Sequence, residues 1–220
     1  MTRAGTARAF AALAALAVIT CLAPAATAQT ADVDTLALER LSPEELFLRA
    51  SSSALQFEAM REPSRRILVR EHGRTLPYLV SRLDTDDARE RHALEDILVR
   101  IGDPAVAQLT VALGNELRRE DTTRGARLAA GILGRLENTD AVRELGLAGD
   151  HVDWKVRGAA AGALGRIGTA ASVPSLLDLL SDDNEMVRKS AAVGLGRTIP
   201  KLESRPPERA IRELARTLDD

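Results

Sequence analysis

Cysteine and aromatic residues are scarce in this chain of 220 residues. It has a single cysteine, and aromatic residues make up 2% of the sequence. Large ligand cavities are usually lined with aromatic side chains, so this composition argues against one. The core has to be built from Leu, Ala, Val and Ile, which suits closely approaching helices. The formal net charge of −2 also gives no sign of the basic surface that nucleic acid requires.

The first 28 residues are expected to be a secretory signal peptide. Arg3 and Arg8 precede an apolar run, and Ala26-Thr27-Ala28 supplies small residues at the cleavage positions. The apolar run is shorter than the roughly 20 residues of a spanning helix, which makes an uncleaved anchor the weaker alternative. A lipoprotein processed at Cys21 is a third. Cleavage near Ala28 would leave a periplasmic or secreted protein with no stable membrane span.

The mature chain would contain no cysteine and therefore no disulfide. It would keep 28 basic and 32 acidic residues, a formal net charge of −4. Its stability would then depend on packing alone, which a stack of repeats supplies by burial between neighbours.

A two-part apolar pattern recurs five times between Ile67 and Leu218, and it determines the expected architecture. Apolar or small residues recur at relative positions 0, 3, 4 and 7, which is one face of an α-helix. One apolar position of the first half recurs after 35, 31 and 31 residues, at Leu98, Leu133, Leu164 and Leu195. The pattern predicts an all-α fold of about five helix pairs stacked as a right-handed α-solenoid, or α-α superhelix.

The order of segments along the chain follows from the same pattern. Residues 29–41 show no periodicity and are expected to form a flexible lead. Residues 42–63 are expected to form an N-terminal capping helix, because Ser42-Pro43-Glu44-Glu45 is a helix start and Pro63 would end it. The repeat domain is then expected over residues 64–220.

Two tandem stretches carry a family resemblance. Residues 153–168 read DWKVRGAAAGALGRIG, and residues 184–197 repeat them 31 positions later as NEMVRKSAAVGLGR. The pattern resembles HEAT-like repeats of the phycobilisome-lyase type. The resemblance covers residues 64–220, weakening toward the N-terminus. It implies an armadillo-like helical solenoid that offers a binding surface.

The polar residues of this motif have expected structural roles. Asp153 and Asn184 precede helices and are expected to cap them by accepting hydrogen bonds from backbone amides. Arg157 and Arg188 lie in the first helical turn, where the helix dipole disfavours a cation unless an acid is near. We expect them to pair, as a ladder along the stack, with acids of the turns between repeats. The candidate acids are Asp150, Asp182 and Asp183. Gripping an anionic ligand is the alternative role for the two arginines.

No constellation of catalytic residues is evident. The three histidines, His72, His92 and His151, fall at unrelated repeat positions, and no His-Glu pair recurs of the kind that di-iron HEAT-repeat hydroxylases carry. The mature chain has no Gly-x-Ser-x-Gly elbow, catalytic cysteine or phosphate loop. We therefore predict no catalytic, cofactor-binding or metal site, and no enzymatic activity.

Candidate binding residues come from two arguments. Trp154 starts a helix, where partial exposure would suit an interface hot spot, although packing across the adjoining repeat is an alternative. The second helices of the pairs are expected to line a concave binding surface. Their outward-facing candidates are Gln108, Arg143, Ser175, Asp178 and Arg212.

The expected function is an exported, non-catalytic HEAT-repeat module for protein binding or scaffolding. Its partner would be an unidentified protein or peptide in the envelope or outside the cell. The resemblance leaves an alternative, a bilin-lyase-like or other small-molecule-handling enzyme or its accessory subunit. HEAT-like DNA glycosylases fit less well, because an acidic, exported chain with one tryptophan lacks the basic and stacking surface for nucleic acid.

Overall fold

The apolar stripes of the sequence are the buried faces of α-helices in a computed structural model, which describes residues 35–119, 123–202 and 212. No strand occurs among these residues. All the described elements belong to one unit, Val33–Asp220. In chain order the α-helices are α1 (Thr35–Glu39), α2 (Pro43–Ser51), α3 (Glu58–Arg70), α4 (His72–Ser81), α5 (Ala88–Ile101), α6 (Val106–Glu116), α7 (Arg124–Leu136), α8 (Val142–Ala148), α9 (Trp154–Ile167), α10 (Val173–Leu179) and α11 (Glu185–Thr198).

From α3 onward the helices form consecutive pairs. The pairs are α3 with α4, α5 with α6, α7 with α8, and α9 with α10, while α11 is the first helix of a fifth. The expected second helix of that fifth pair lies outside the described residues, except for helical Arg212. Each first helix packs against the next, α5 on α7, α7 on α9 and α9 on α11. Stacking of this kind is an α-solenoid, so the predicted fold class is confirmed.

The core combines buried side chains from the first and second helices, and one leucine position of the first helices recurs in it. Leu98, Leu133, Leu164 and Leu195 are each 0% exposed. A fully buried leucine contributes about 1.5–3 kcal/mol relative to an exposed one, so each copy of the repeated position stabilises its repeat.

Glycine and alanine set the distance between the later first helices. A Cβ at Gly165 would lie under 3.0 Å from Gly194 Cα, and a Cβ at Gly134 would lie 2.6 Å from Ala163 Cα. The backbones of α9 and α11 therefore touch where neither residue has a side chain. Gly162, in contrast, has nothing within 4 Å of a Cβ.

Side-chain caps start three of the first helices. Asp87, Asp153 and Asn184 precede α5, α9 and α11, and each side chain accepts a hydrogen bond from the backbone amide two residues on, at 2.7–2.9 Å. Such a cap contributes roughly 1 kcal/mol to helix stability.

The N-terminal region departs from the expected segments in two ways. The capping helix expected over residues 42–63 is interrupted, because α2 ends at Ser51 and Ser52 is extended at φ −66° and ψ 142°. Pro63 does not end a helix but lies inside α3. A proline there costs roughly 3 kcal/mol, which the burial of Ile67 and Leu68 in the same helix offsets.

Part of the expected flexible lead, residues 29–41, is helical. Helix α1 buries Leu38, and Glu39 accepts a hydrogen bond from Arg70 Nη2 at 2.7 Å. The repeat domain likewise begins with α3 at Glu58 rather than at residue 64. Helix α2 packs on α3, α4 and α5 and so covers the first pair.

Within the described ranges, no single helix is both long and apolar enough to cross a membrane. Two consecutive segments, Ala88–Ile101 and Asp103–Glu116, are long and apolar enough only when taken together, and the chain bends by 114° between them. The expected signal peptide, residues 1–28, lies outside the described residues.

Candidate binding surface

The second helices α6, α8 and α10 carry most of the candidate binding residues on their solvent side. Gln108 in α6 and Asp178 in α10 are exposed, and Ser175 in α10 is half-buried. The side chain of Arg143 in α8 is 85% exposed. We call the solvent-facing side of these three helices the second-helix face.

A groove of about 420 Å³ lies between α8 and α10 on the second-helix face. Arg143, Ser175 and Asp178 all line it, so the structure brings together three of the residues chosen from sequence. Gln108 does not line this groove. Arg212 is exposed and helical, but its neighbours lie outside the described residues.

Two glycines of α8 and its C-cap allow the groove to form. A Cβ at Gly146 would lie 3.0 Å from Ser175 Oγ, and one at Gly149 would lie 3.4 Å from Leu179 Cδ1. The missing side chains therefore let α10 approach α8. The sequence pattern treated both glycines as members of an apolar stripe and did not indicate a groove.

The groove has a mixed chemical character. Asp150, Asp178 and Asp182 contribute carboxylates, and Arg143 contributes a cation 3.8 Å from Glu144. Leu147 adds apolar surface and is 55% exposed, a feature that the sequence analysis did not single out. The groove therefore presents carboxylate, guanidinium and apolar contacts side by side.

Asp182, one of the carboxylates of this groove, forms an ion pair within the fold. Arg157 Nη2 donates to Asp182 Oδ1 at 2.7 Å, and Arg157 Nε donates to Oδ2. The hydrogen bonds from Arg157 lower the pKa of Asp182, and the same contact raises the pKa of Arg157. This bidentate pair joins α9 to the turn before α11.

The two arginines of the expected ladder make different contacts. Besides Asp182, Arg157 donates through Nη1 to the carbonyls of His151 and Val152, both at 3.0 Å. Arg188 donates through Nη1 to the carbonyls of Asp182 and Asp183 at 3.0 and 3.2 Å, rather than to a carboxylate. The contact that recurs is therefore between an arginine and the carbonyls of the turn before its helix.

A third arginine follows the same rule and was missed in the sequence. Arg91 in α5 donates through Nη1 to the carbonyls of Thr85 and Asp86. Its place four residues after the cap Asp87 matches the place of Arg157 after Asp153. The four-residue spacing from an acidic cap to an arginine could have indicated this contact, but the rest of the motif has diverged in that repeat.

Trp154 stands apart from the groove. It begins α9, is 39% exposed, and its ring centroid is 5.8 Å from Lys155 Nζ. Such a cation lies within cation–π range of the ring. The tryptophan does not line the groove between α8 and α10.

Metal-ligating side chains do not cluster within the part of the chain that the structure describes. No group of three or more His, Cys, Asp or Glu side chains there could hold a metal ion. His151 instead accepts a hydrogen bond through Nδ1 from the Asp153 amide at 3.0 Å.

A solenoid of short, stacked helix pairs is the architecture of helical-repeat proteins. The sequence profile of HEAT repeats matches residues 110–196 and 146–220, which together are half of the chain. The chain therefore belongs to the HEAT-repeat family.

Solved structures provide further comparisons. Human deoxyhypusine hydroxylase in complex with glycerol is 22% identical, with a TM-score of 0.46 over 71% of this chain and 62% of that one. YibA of Escherichia coli is 19% identical, with a TM-score of 0.48 over 84% of this chain and 72% of that one. An engineered protein is 20% identical, with a TM-score of 0.40 over 81% of this chain and 98% of that one. This chain spans 62% of the length of the hydroxylase. Among curated proteins, none matches significantly.

Proposed function

We propose that this HEAT-repeat protein is an exported, non-catalytic module that binds a protein or peptide along its second-helix face. The observation that carries the proposal is the groove between α8 and α10, where Arg143, Ser175 and Asp178 from two successive repeats converge. The export part rests on the N-terminal sequence, in which Arg3 and Arg8 precede an apolar run that ends in small residues.

The groove suits an extended polypeptide for geometric reasons. Its volume of about 420 Å³ fits a few side chains of a peptide. The exposed Leu147 offers apolar contact, while the aspartates and Arg143 can orient polar and charged groups of the partner. Stacked repeats extend such contacts along the solenoid, because each pair presents an equivalent surface.

Site-specific photo-crosslinking tests the proposal. A photoreactive amino acid replaces Ser175 in the groove or, as a control, the exposed Ser53 before α3, and the protein is expressed in its native host. We expect a discrete protein adduct from Ser175 and none from Ser53. The adduct should disappear when Arg143→Gln and Asp178→Asn are added. The intact mass of the same protein should show the loss of residues 1–28.

Three outcomes would contradict parts of the proposal. Equal adducts from Ser175 and Ser53 would show that the groove is not the binding surface. A purified protein that carries a pigment or another small molecule, with no protein adduct, would favour the lyase-like alternative. An intact mass that still includes the N-terminal 28 residues would contradict export by cleavage.

A further inference from the structure

A column of arginines runs along the solenoid on the first helices, away from the groove. Arg100, Arg135, Arg166 and Arg197 each lie in the last turn of a first helix, in α5, α7, α9 and α11. They are separated by 35, 31 and 31 residues, the spacing of the repeat itself. The C-terminal end of a helix favours a cation, which accounts for a positive charge here but not for its partner.

The first two arginines have carboxylate partners within the fold. Arg100 donates to Glu62 at 2.9 Å and lies 3.5 Å from Asp96. Arg135 lies 2.8 Å from Glu95. In both cases a carboxylate on the preceding first helix reaches the arginine, so the early part of the column pairs with acids one repeat earlier.

The last two arginines lack such partners because the preceding helices carry no acid. Helices α7 and α9 contain no Asp or Glu at all. Arg166 and Arg197 are exposed, and no carboxylate within the described ranges lies within salt-bridge distance of either guanidinium. The one acid of α11, Glu185, pairs with Lys189. The end of the column therefore presents two guanidinium groups, one repeat apart, that no described carboxylate neutralises.

A small groove of about 220 Å³ lies beside Arg197, between α9 and α11. Arg166 lies one helical turn after Gly162, the residue of α9 that lines this groove. Arg197 lines it together with Met186 and Val193, which are 55% and 56% exposed. Gly162 on α9 leaves the space open, since nothing lies within 4 Å of a Cβ there. Exposed guanidinium groups, exposed apolar side chains and a side-chain-sized groove thus occur together.

We call this surface the arginine face. It consists of Arg166, Arg197, Met186, Val193 and the groove between α9 and α11. We propose that the arginine face binds an extended acidic segment of a partner protein. Its Asp or Glu carboxylates take the places that Glu62 and Glu95 occupy in the earlier repeats. An apolar side chain of the same segment enters the groove. The guanidinium fork suits this role because it binds a carboxylate through two parallel hydrogen bonds.

The shape of the arginine face favours a polypeptide over other anionic partners. A flat bilayer surface cannot fill a groove sized for one side chain. Among the residues that line the groove none is aromatic, so it offers no stacking platform of the kind that single-stranded nucleic acid uses. An acidic peptide satisfies both the charge and the shape of the site.

Peptide selection tests the proposal even while the partner is unidentified. A phage-displayed library of random dodecapeptides is selected on the full-length protein, and enriched peptides are titrated as fluorescent probes. We expect enrichment of Asp and Glu flanking an apolar residue. Arg166→Gln with Arg197→Gln should weaken binding at least about tenfold, because the charge-assisted hydrogen bonds from both guanidinium groups to the acidic segment are lost. The matched control, Arg66→Gln with Arg89→Gln, removes the same charge at exposed positions outside both proposed binding surfaces and should change binding less than about twofold.

Several results would overturn the proposal. Peptides without acidic residues, or acidic peptides that bind the test and control variants equally, would exclude the arginine face as their site. Tighter binding to phosphatidylglycerol vesicles or to a single-stranded oligonucleotide than to any selected peptide would assign the surface to a different partner. Circular dichroism of both double variants checks that the fold is intact. The second-helix face is unchanged in the arginine-face variant, so the crosslinking result from Ser175 is independent of this one.

Discussion

The two halves of the solenoid are held together in different ways. In residues 35–101, ion pairs connect neighbouring helices, such as Arg70 with Glu39 and Arg100 with Glu62. Large side chains fill the space between these helices, including Phe47 and Tyr78, whose ring centroids are 6.0 Å apart. In residues 124–202, the first helices instead touch through glycine and alanine.

This difference explains why the repeat pattern is clearer in the second half. A contact through small residues fixes the helix spacing, so each repeat needs the same small residue at the same place. Ion pairs and large side chains tolerate more variation, because long side chains adapt to the distance between helices. The profile of HEAT repeats accordingly matches from residue 110 onward. Helices α7 and α9, which make these close contacts, contain no Asp or Glu, so the later arginines have no acid partner on the preceding first helix.

The largest expected effect comes from adding one methyl group at the closest helix contact. Gly165→Ala places a Cβ against the backbone of Gly194, which cannot move aside without shifting α11. We expect a loss of about 3 kcal/mol in the free energy of unfolding, the upper part of the range for overpacking. Urea denaturation followed by circular dichroism measures it.

Gly162→Ala is the matched control, because it makes the same chemical change three residues earlier on the same helix. Nothing lies within 4 Å of its Cβ, and alanine favours the helix by roughly 0.5–1 kcal/mol over glycine. It should leave stability unchanged or raise it. Equal losses in the two variants would mean that helix spacing in the second half is not set by these glycines.

A smaller effect is expected from the ion pair between α9 and the next turn. The side chains of Arg157 and Asp182 are only 17% and 6% exposed. Asp182→Asn keeps an acceptor for the Asn184 amide but removes the charge, so we expect a loss of about 1.5 kcal/mol at neutral pH.

The pH dependence of this effect has a definite sign. Arg157 lowers the pKa of Asp182 in the folded state below its ordinary value of about 4. The pair therefore stabilises the fold fully above about pH 4, and its contribution is lost as the pH falls through the lowered pKa. Denaturation of the wild type and D182N at about pH 7 and about pH 3 should show a difference that narrows at the lower pH. A constant difference would assign the loss to packing instead.

Some features of this fold are written in the local sequence, and others depend on tertiary contacts. The leucine positions from Leu98 to Leu195 could be placed because burial imposes the helical period directly on the sequence. The break after Ser51 and the helix around Pro63 could not, because tertiary burial outweighs a local signal there. Periodicity also placed Arg143, Ser175 and Asp178 on the solvent side. It could not indicate the groove between α8 and α10. The groove depends on how closely α10 approaches the glycines of α8 and its C-cap, which local periodicity does not show.

The smallest expected effect compares the two ends of the arginine column. Arg100→Gln removes an exposed ion pair with Glu62 and should cost about 0.5 kcal/mol at low salt, falling as salt screens the pair. Arg197→Gln removes a charge with no carboxylate partner among the described residues and should change stability less than Arg100→Gln does. Thermal denaturation at low and high salt measures both. If Arg197→Gln costs as much as Arg100→Gln, this arginine already has a stabilising partner within the chain, and its guanidinium is not available to an acidic segment.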